Sequence, residues 1–443
     1  MWFRCLLLTI LLGSAVQAQS SAPTRPRVLV STDAGGTDFD DFQSLVHLLL
    51  YSDALDLEGL LSSPYGGGRR EHILHVIDVY ERDYPNLRTY SAHYPAPDAL
   101  RAITKQGETE VAPYAGFRGP TEGSEWIIAC ARRDDPRPLH VLIWGGIEDL
   151  AQALHDAPDI LPKLRVYFIG GPNKKWSVDA YHYIATNHPT LWMIECNESY
   201  QGWFTGGDMS GDLGNDTFVA AHVAGHGALG DFFASGISFQ GQTRTTIRMG
   251  DTPSVVWLLH GDLTDPTKPG WGGQFVRAWQ RPYYISRRLT TAADQIEQFG
   301  VFELVLQRGP SLAFFPGSTL PYSAASHLVI ENQSLVGNTT ADGVTRFRFS
   351  PKEAKVYRYR IQSNIQDLNG LTGELTSVQP SAALATSPDP LHPNWWTDDP
   401  SPALRAGQLI GAKTVNRWRA EFLRHFAARL DRCRAPAPAA IKP

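Results

Sequence analysis

The sequence predicts an α/β fold, a mostly parallel sheet flanked by helices, with an additional β-rich segment. Three observations predict it. Short β-branched apolar runs alternate with stretches of helical periodicity through the first half of the chain. Several of these runs empty into glycine-rich turns, as strands of an open α/β sheet do where ligands meet their carboxyl ends. Beyond residue 285 helical periodicity gives way to further strand-like runs.

In order, Val28 to Ser31 reads as a buried strand and Phe42 to Tyr51 as the helix that follows it. Leu57 to Ser62 and Glu71 to Asp83 repeat the unit, and this βαβα rhythm implies a sheet covered on both faces. Leu139 to Trp144 and Leu164 to Ile169 are two further strands, each followed by a Gly-Gly pair, with a helix over Ile147 to Ala157 between them. Leu191 to Asn197 reads as a strand ending in Glu195 and Asn197, and Pro253 as the first turn of a helix running to Leu259. Asp251 stands at the capping position of that helix. Phe302 to Leu306, His327 to Glu331, Arg346 to Ser350 and Val356 to Gln362 are strands of the β-rich segment, and Ala412 to Leu430 has an amphipathic helical pattern.

The 443 residues are 42% hydrophobic with a formal net charge of -5, which excludes a disordered chain or a coiled coil and gives no basic footprint for nucleic acid. Self-association into a homo-oligomer stays open. Arg4, the apolar run Cys5 to Leu12 and small residues at Val16 and Ala18 read as a signal peptide cut after Ala18, which points to a secreted or periplasmic protein. No window has the roughly 20 apolar residues that a membrane span needs. Removing Cys5 leaves Cys130, Cys196 and Cys433, and Cys130 with Cys433 is the expected disulfide.

The chemistry concentrates in Val28-Leu-Val-Ser-Thr-Asp-Ala-Gly-Gly-Thr-Asp-Phe-Asp-Asp41. Asp33, Asp38, Asp40 and Asp41 crowd a turn between a strand and a helix. Their mutual repulsion is costly unless a hard cation offsets it. An Asp-rich surface turn is the plainer alternative.

Taken with the Gly145-Gly-Ile-Glu-Asp-Leu-Ala151 turn, the Glu195/Asn197 pair and Asp251, this stretch resembles the nucleoside hydrolase superfamily over about residues 27 to 285. The resemblance is closest to its exported branch associated with cellulose-degrading bacteria. It implies a calcium-dependent site for hydrolysing N-glycosidic or other glycosidic bonds. Asp33 would bind calcium and act as general base, Asp41 and Asp251 would be further ligands, and a main-chain carbonyl on or beside Glu148 would complete the shell. Asp40, Glu195 and Asn197 would hold sugar hydroxyls. Calcium accepts such an oxygen set, and Asp33 would take the proton of a metal-bound water.

Two departures accompany the resemblance. Residues including Asp38 lengthen the turn between Asp33 and the Asp40-Asp41 pair, and Gly250 stands where the nucleoside enzymes carry a substrate-contacting His. Among His182, His188, His222 and His226 none is assigned in its place. The aromatic loop from His260 to Tyr284 suggests Trp271 as a face for stacking on a sugar ring, with core packing as the alternative. Arg417-Trp-Arg419 is similar to a helix near the end of the branch's catalytic-type domain. The expected organisation is a signal peptide (1–18), a nucleoside-hydrolase-like domain (27–285), a β-rich insertion or small domain (286–390), a C-terminal helix returning to the first domain (391–433) and a disordered tail (434–443). Two functions remain open: a calcium-dependent hydrolase acting on a sugar-containing substrate, and a carbohydrate-binding protein without turnover.

Overall fold

In a computed structural model of the chain, the residues described are 25–435 apart from 37–38, 65–66, 237, 240–241, 244, 281–282, 308–325 and 341–342. The expected signal peptide, Asp38 and nearly all of the expected tail lie outside the described residues.

Eight strands form the main sheet: β1 (Arg27–Thr32), β2 (Asp56–Ser62), β3 (Thr104–Gln106), β4 (Leu139–Ile143), β5 (Leu164–Ile169), β6 (Met193–Cys196), β7 (Phe275–Arg277) and β8 (Trp395–Asp398). Their spatial order is β3-β2-β1-β4-β5-β6-β8-β7. All neighbours are parallel except β8 and β7, which are antiparallel. The strands are apolar on both faces because both faces are covered. Val28 and Val30 enter one core with Leu142 and Ile194, while Leu29 enters the opposite core with Val141, Ile143 and Val166. Alternation with a period of two thus survives inside what reads as a continuous apolar run.

Helices Asp40–Leu50, Glu148–Asp156 and Thr252–His260 fall where the sequence places them. The second long helix runs from Arg70 to Tyr90, through Pro85, rather than stopping at Asp83; Leu87 beyond the proline is wholly buried, and that packing holds the extra turns. The C-terminal pattern splits into Lys413–Asn416 and Arg419–Leu430. Arg419 is fully buried and donates to the carbonyls of Trp203 and Leu213, each at 2.9 Å, while Phe422 stacks on Trp203. The helix is thereby fixed to the α/β body.

The expected Cys130–Cys433 disulfide is corrected by the structure, in which both are free and buried. They lie in the cores on opposite faces of the main sheet.

Between β7 and β8 the chain builds two further sheets. One has four strands, Tyr283–Ser286, Val301–Gln307, Val344–Phe349 and Asn338–Thr339; the other has five, Gln295–Glu297, Thr372–Val378, Val356–Ser363, Ser326–Ile330 and Gln333–Val336. Phe302, Leu304 and Phe347 from the first share a core with Leu328, Tyr357 and Leu375 from the second. This β-sandwich therefore leaves and re-enters the main sheet through two hydrogen-bonded neighbours, β7 and β8.

Candidate functional site

Asp33 follows the last residue of β1, and helix Asp40–Leu50 begins at Asp40. Thr32 Oγ1 donates to Asp41 Oδ1 and accepts the N–H of Ala34 at 3.2 Å, tying the strand end to the helix start. Carboxylates in a first helical turn also meet the positive end of the helix dipole. From the far side of the sequence, the N–H of Asp251 donates to Ser44 Oγ at 3.3 Å. Ser254 Oγ donates to the Asp251 carbonyl at 2.6 Å and accepts from Trp144 Nε1 at 2.8 Å. The Asp251 side chain does not cap its helix.

Carboxylate oxygens of Asp40, Asp41 and Asp251 lie within 4.8 Å of one another. Oxygens bound at about 2.3–2.6 Å from one ion sit no more than about 5 Å apart, so this group fits a calcium-sized cation. Asp33 lines the same pocket, together with Trp144, Asn173, Trp176, Tyr200 and Phe204. Asp33, Asp41 and Asp251 are buried, whereas Asp40 is partly exposed. The ion-sized group thus includes Asp40, which the sequence reading gave to the sugar.

Two glycines make the approach of these groups feasible. A Cβ at Gly145 would stand 2.8 Å from the Cβ of Asp33 and collide with Ser63 Oγ, so only glycine lets the turn after β4 close on Asp33. A Cβ at Gly250 would land on Asp40 Oδ2. The space that a histidine would claim there is held by Asp40, with the Tyr200 ring next to it.

Other expected residues are placed elsewhere. The turn carrying Glu148, expected to offer a main-chain carbonyl, reaches Asp33 through Gly145, while the Glu148 carboxylate accepts from Ser177 Oγ at 2.9 and 2.8 Å. Burial pushes that carboxyl up to about 7. Glu195 is fully buried, and its carboxylate accepts from Lys174 Nζ, from Tyr181 at 2.9 Å and from Asn197 Nδ2 at 3.0 Å. Lys174 also donates to the carbonyl of Phe299 in the β-sandwich, at 3.1 Å. The first demand on Glu195 is therefore a buried ion pair, and neither Glu195 nor Asn197 lines the pocket. Trp271 does not line it either: its ring stacks on His260, with centroids 3.7 Å apart, and meets His425 edge-on.

Sequence reasoning passed over several pocket residues. Asn173, at the end of Gly170-Gly-Pro-Asn173, donates to the carbonyls of Trp144 and Ile169 and locks β4 and β5 together at the site. Tyr200 and Phe204 follow the Glu195/Asn197 strand closely enough to have been found as an aromatic cluster. Arg248, and Lys352 from the β-sandwich, complete the walls; nothing local in the sequence marks Lys352.

A nucleoside hydrolase-related protein from Saccharophagus degradans, described as associated with carbohydrate metabolism, has 19% identity and a TM-score of 0.47, covering 81% of this chain and all of that one. The inosine-uridine preferring nucleoside hydrolase from Bacillus anthracis has 16% identity and a TM-score of 0.36, covering 58% of this chain and 86% of its own. A plant nucleoside hydrolase has 14% identity and a TM-score of 0.36, covering 58% and 84%. A search among curated proteins finds no match. The family described as cellulose-binding Sde182, nucleoside hydrolase-like domain, matches residues 27–275, which hold β1 to β6, the first residue of β7 and the whole aspartate constellation. With more than half of its length so matched, this chain belongs to that family.

Proposed function

We propose that the protein is an exported, calcium-dependent hydrolase of glycosidic bonds, N-glycosidic or other. The observation that carries this reading is the convergence of Asp40, Asp41 and Asp251 at ion-ligand spacing beside Asp33. Bound by those carboxylates, calcium would lower the pKa of a water and orient it. Asp33, buried on the pocket wall, accepts the proton of the attacking water as the anomeric carbon is approached. Asp40 has the exposure to reach sugar hydroxyls, and bonds that tighten as the ring flattens favour the transition state. Trp176, Tyr200 and Phe204 offer ring faces to a sugar.

A second reading, carbohydrate binding without turnover, draws on two observations. Glu195 is committed to Lys174 and Tyr181, and no histidine stands at Gly250 to assist a leaving group.

Sugar release by the purified protein from nucleosides and plant-derived oligosaccharides, with calcium or with chelator, separates the two. Hydrolysis predicts release that requires calcium and falls about 100-fold or more in Asp33→Ala, the scale of a lost general base. Release that is indifferent to Asp33 contradicts the mechanism, and sugar binding with no release establishes the second reading.

A further inference from the structure

Arg248 lines the aspartate pocket, yet it makes no ion pair with any described carboxylate. Its guanidinium lies over the ring of Phe204, 5.1 Å from the centroid, and the residue is exposed. Asp33, Asp41 and Asp251, by contrast, are buried. Negative charge is therefore gathered in the depth of the pocket and a guanidinium stands at its mouth.

Its position is built rather than incidental. Gln43, wholly buried on the helix that begins with Asp40 and Asp41, accepts from the N–H of Arg248 at 2.8 Å and of Met249 at 3.2 Å. The same side chain donates to the carbonyl of Thr246 at 2.9 Å. Met249 has φ of 40°, left-handed backbone that a long side chain rarely adopts. Such strain persists where its surroundings over-determine it, and here it aims Arg248 and Asp251 at one cavity. Lys352 of the β-sandwich lines the same cavity.

A guanidinium that starts from a backbone held by Gln43 and pairs with none of the described carboxylates has its donor fork available to a ligand, and that fork matches the paired oxygens of a carboxylate or sulfate. We propose that Arg248 is a specificity-determining residue that selects sugars bearing an oxyanion, a uronate carboxylate or a sulfate ester. The sugar's hydroxyls lie toward the aspartates, and its charged substituent lies toward Arg248 and Phe204. This inference rests on the carbohydrate site proposed above.

Calorimetric titration in calcium tests it with three disaccharides of one linkage, whose terminal sugar is a neutral hexose, the corresponding hexuronic acid or the 6-sulfated hexose. At least one charged sugar should bind about tenfold or more tighter than the neutral one, an increment of the size a charge-assisted contact supplies. Arg248→Gln should bring that ratio to within about twofold, Arg248→Lys should retain part of it, and salt should diminish it. Which charged sugar is preferred tells a carboxylate from a sulfate. Equal or weaker binding of both charged sugars overturns the proposal, as does a preference that survives in Arg248→Gln. In those outcomes the neutral sugar still binds, and only this inference falls; absence of binding by all three overturns the carbohydrate site with it.

Discussion

The absence of a side chain at Gly250 governs how close Asp40 comes to the loop that ends at Asp251. Because a Cβ there would meet only the end of the Asp40 side chain and, at ordinary contact distance, the Tyr200 ring, the fold can absorb an alanine by turning Asp40 aside. Gly250→Ala should accordingly melt within a few degrees of the parent while its calcium affinity falls about tenfold, since one of three clustered oxygens is displaced. Calorimetry beside a melting curve reads both, and unchanged affinity would remove Asp40 from the ion site. At this scale the sequence was legible in position: it put Asp33 at the end of a strand and Asp41 and Asp251 at the starts of helices, and all three line one pocket. It was illegible for Arg248 and Lys352, whose approach to the pocket depends on contacts made far along the chain. The Gln43 side chain grips backbone 205 residues away.

At the scale of elements, helix Gly170–Trp176, β6 and the β-sandwich are joined through one buried charge pair. Lys174 and Glu195 are both wholly inaccessible. Removing one partner leaves the other charge uncompensated, so Lys174→Met should cost about 3–5 kcal/mol in denaturant unfolding. Adding Glu195→Gln should restore part of it, and an unperturbed single variant would show that the pair does not hold these elements. Glu198, next along the chain, gives the junction a pH dependence. Burial raises its carboxyl to about 7 from an ordinary 4.5, against opposing bonds from the N–H of Ile410 and from Gln298. The folded state therefore keeps a proton that the unfolded chain releases above about 4.5. The stability this contributes is full below that value and is lost as pH rises through about 7, on the order of 3 kcal/mol over the window. Glu198→Gln should show a smaller fall in Tm between pH 5 and pH 8 than the parent, and an equal fall would assign the dependence to other groups. Strands β1, β2, β4 and β5 were legible as apolar runs with glycine turns. Strand β8 was not, because it is four residues long and its partners Met193, Ile194 and Glu195 lie about 200 residues earlier.

Across the whole molecule, the α/β body and the inserted sandwich meet at the aspartate pocket, with Lys352 as the sandwich's contribution, while the C-terminal helix packs on the α/β body at Trp203 and Leu213. The body's architecture follows from alternation of apolar strands and helices. The insertion point does not, since leaving at β7 and returning at β8 is a long-range pairing without a local signal. If the pocket is the ion site, calcium binding must be linked to folding, because the carboxylates converge only in the native state. The most direct measurement is titration of calcium into chelator-treated protein by calorimetry, paired with melting curves, for the parent and for Asp41→Asn with Asp251→Asn. One site per chain in the parent, a calcium-dependent rise in Tm, and loss of both in the double variant are the expected results. No binding heat and the same Tm in calcium and in chelator would contradict the account.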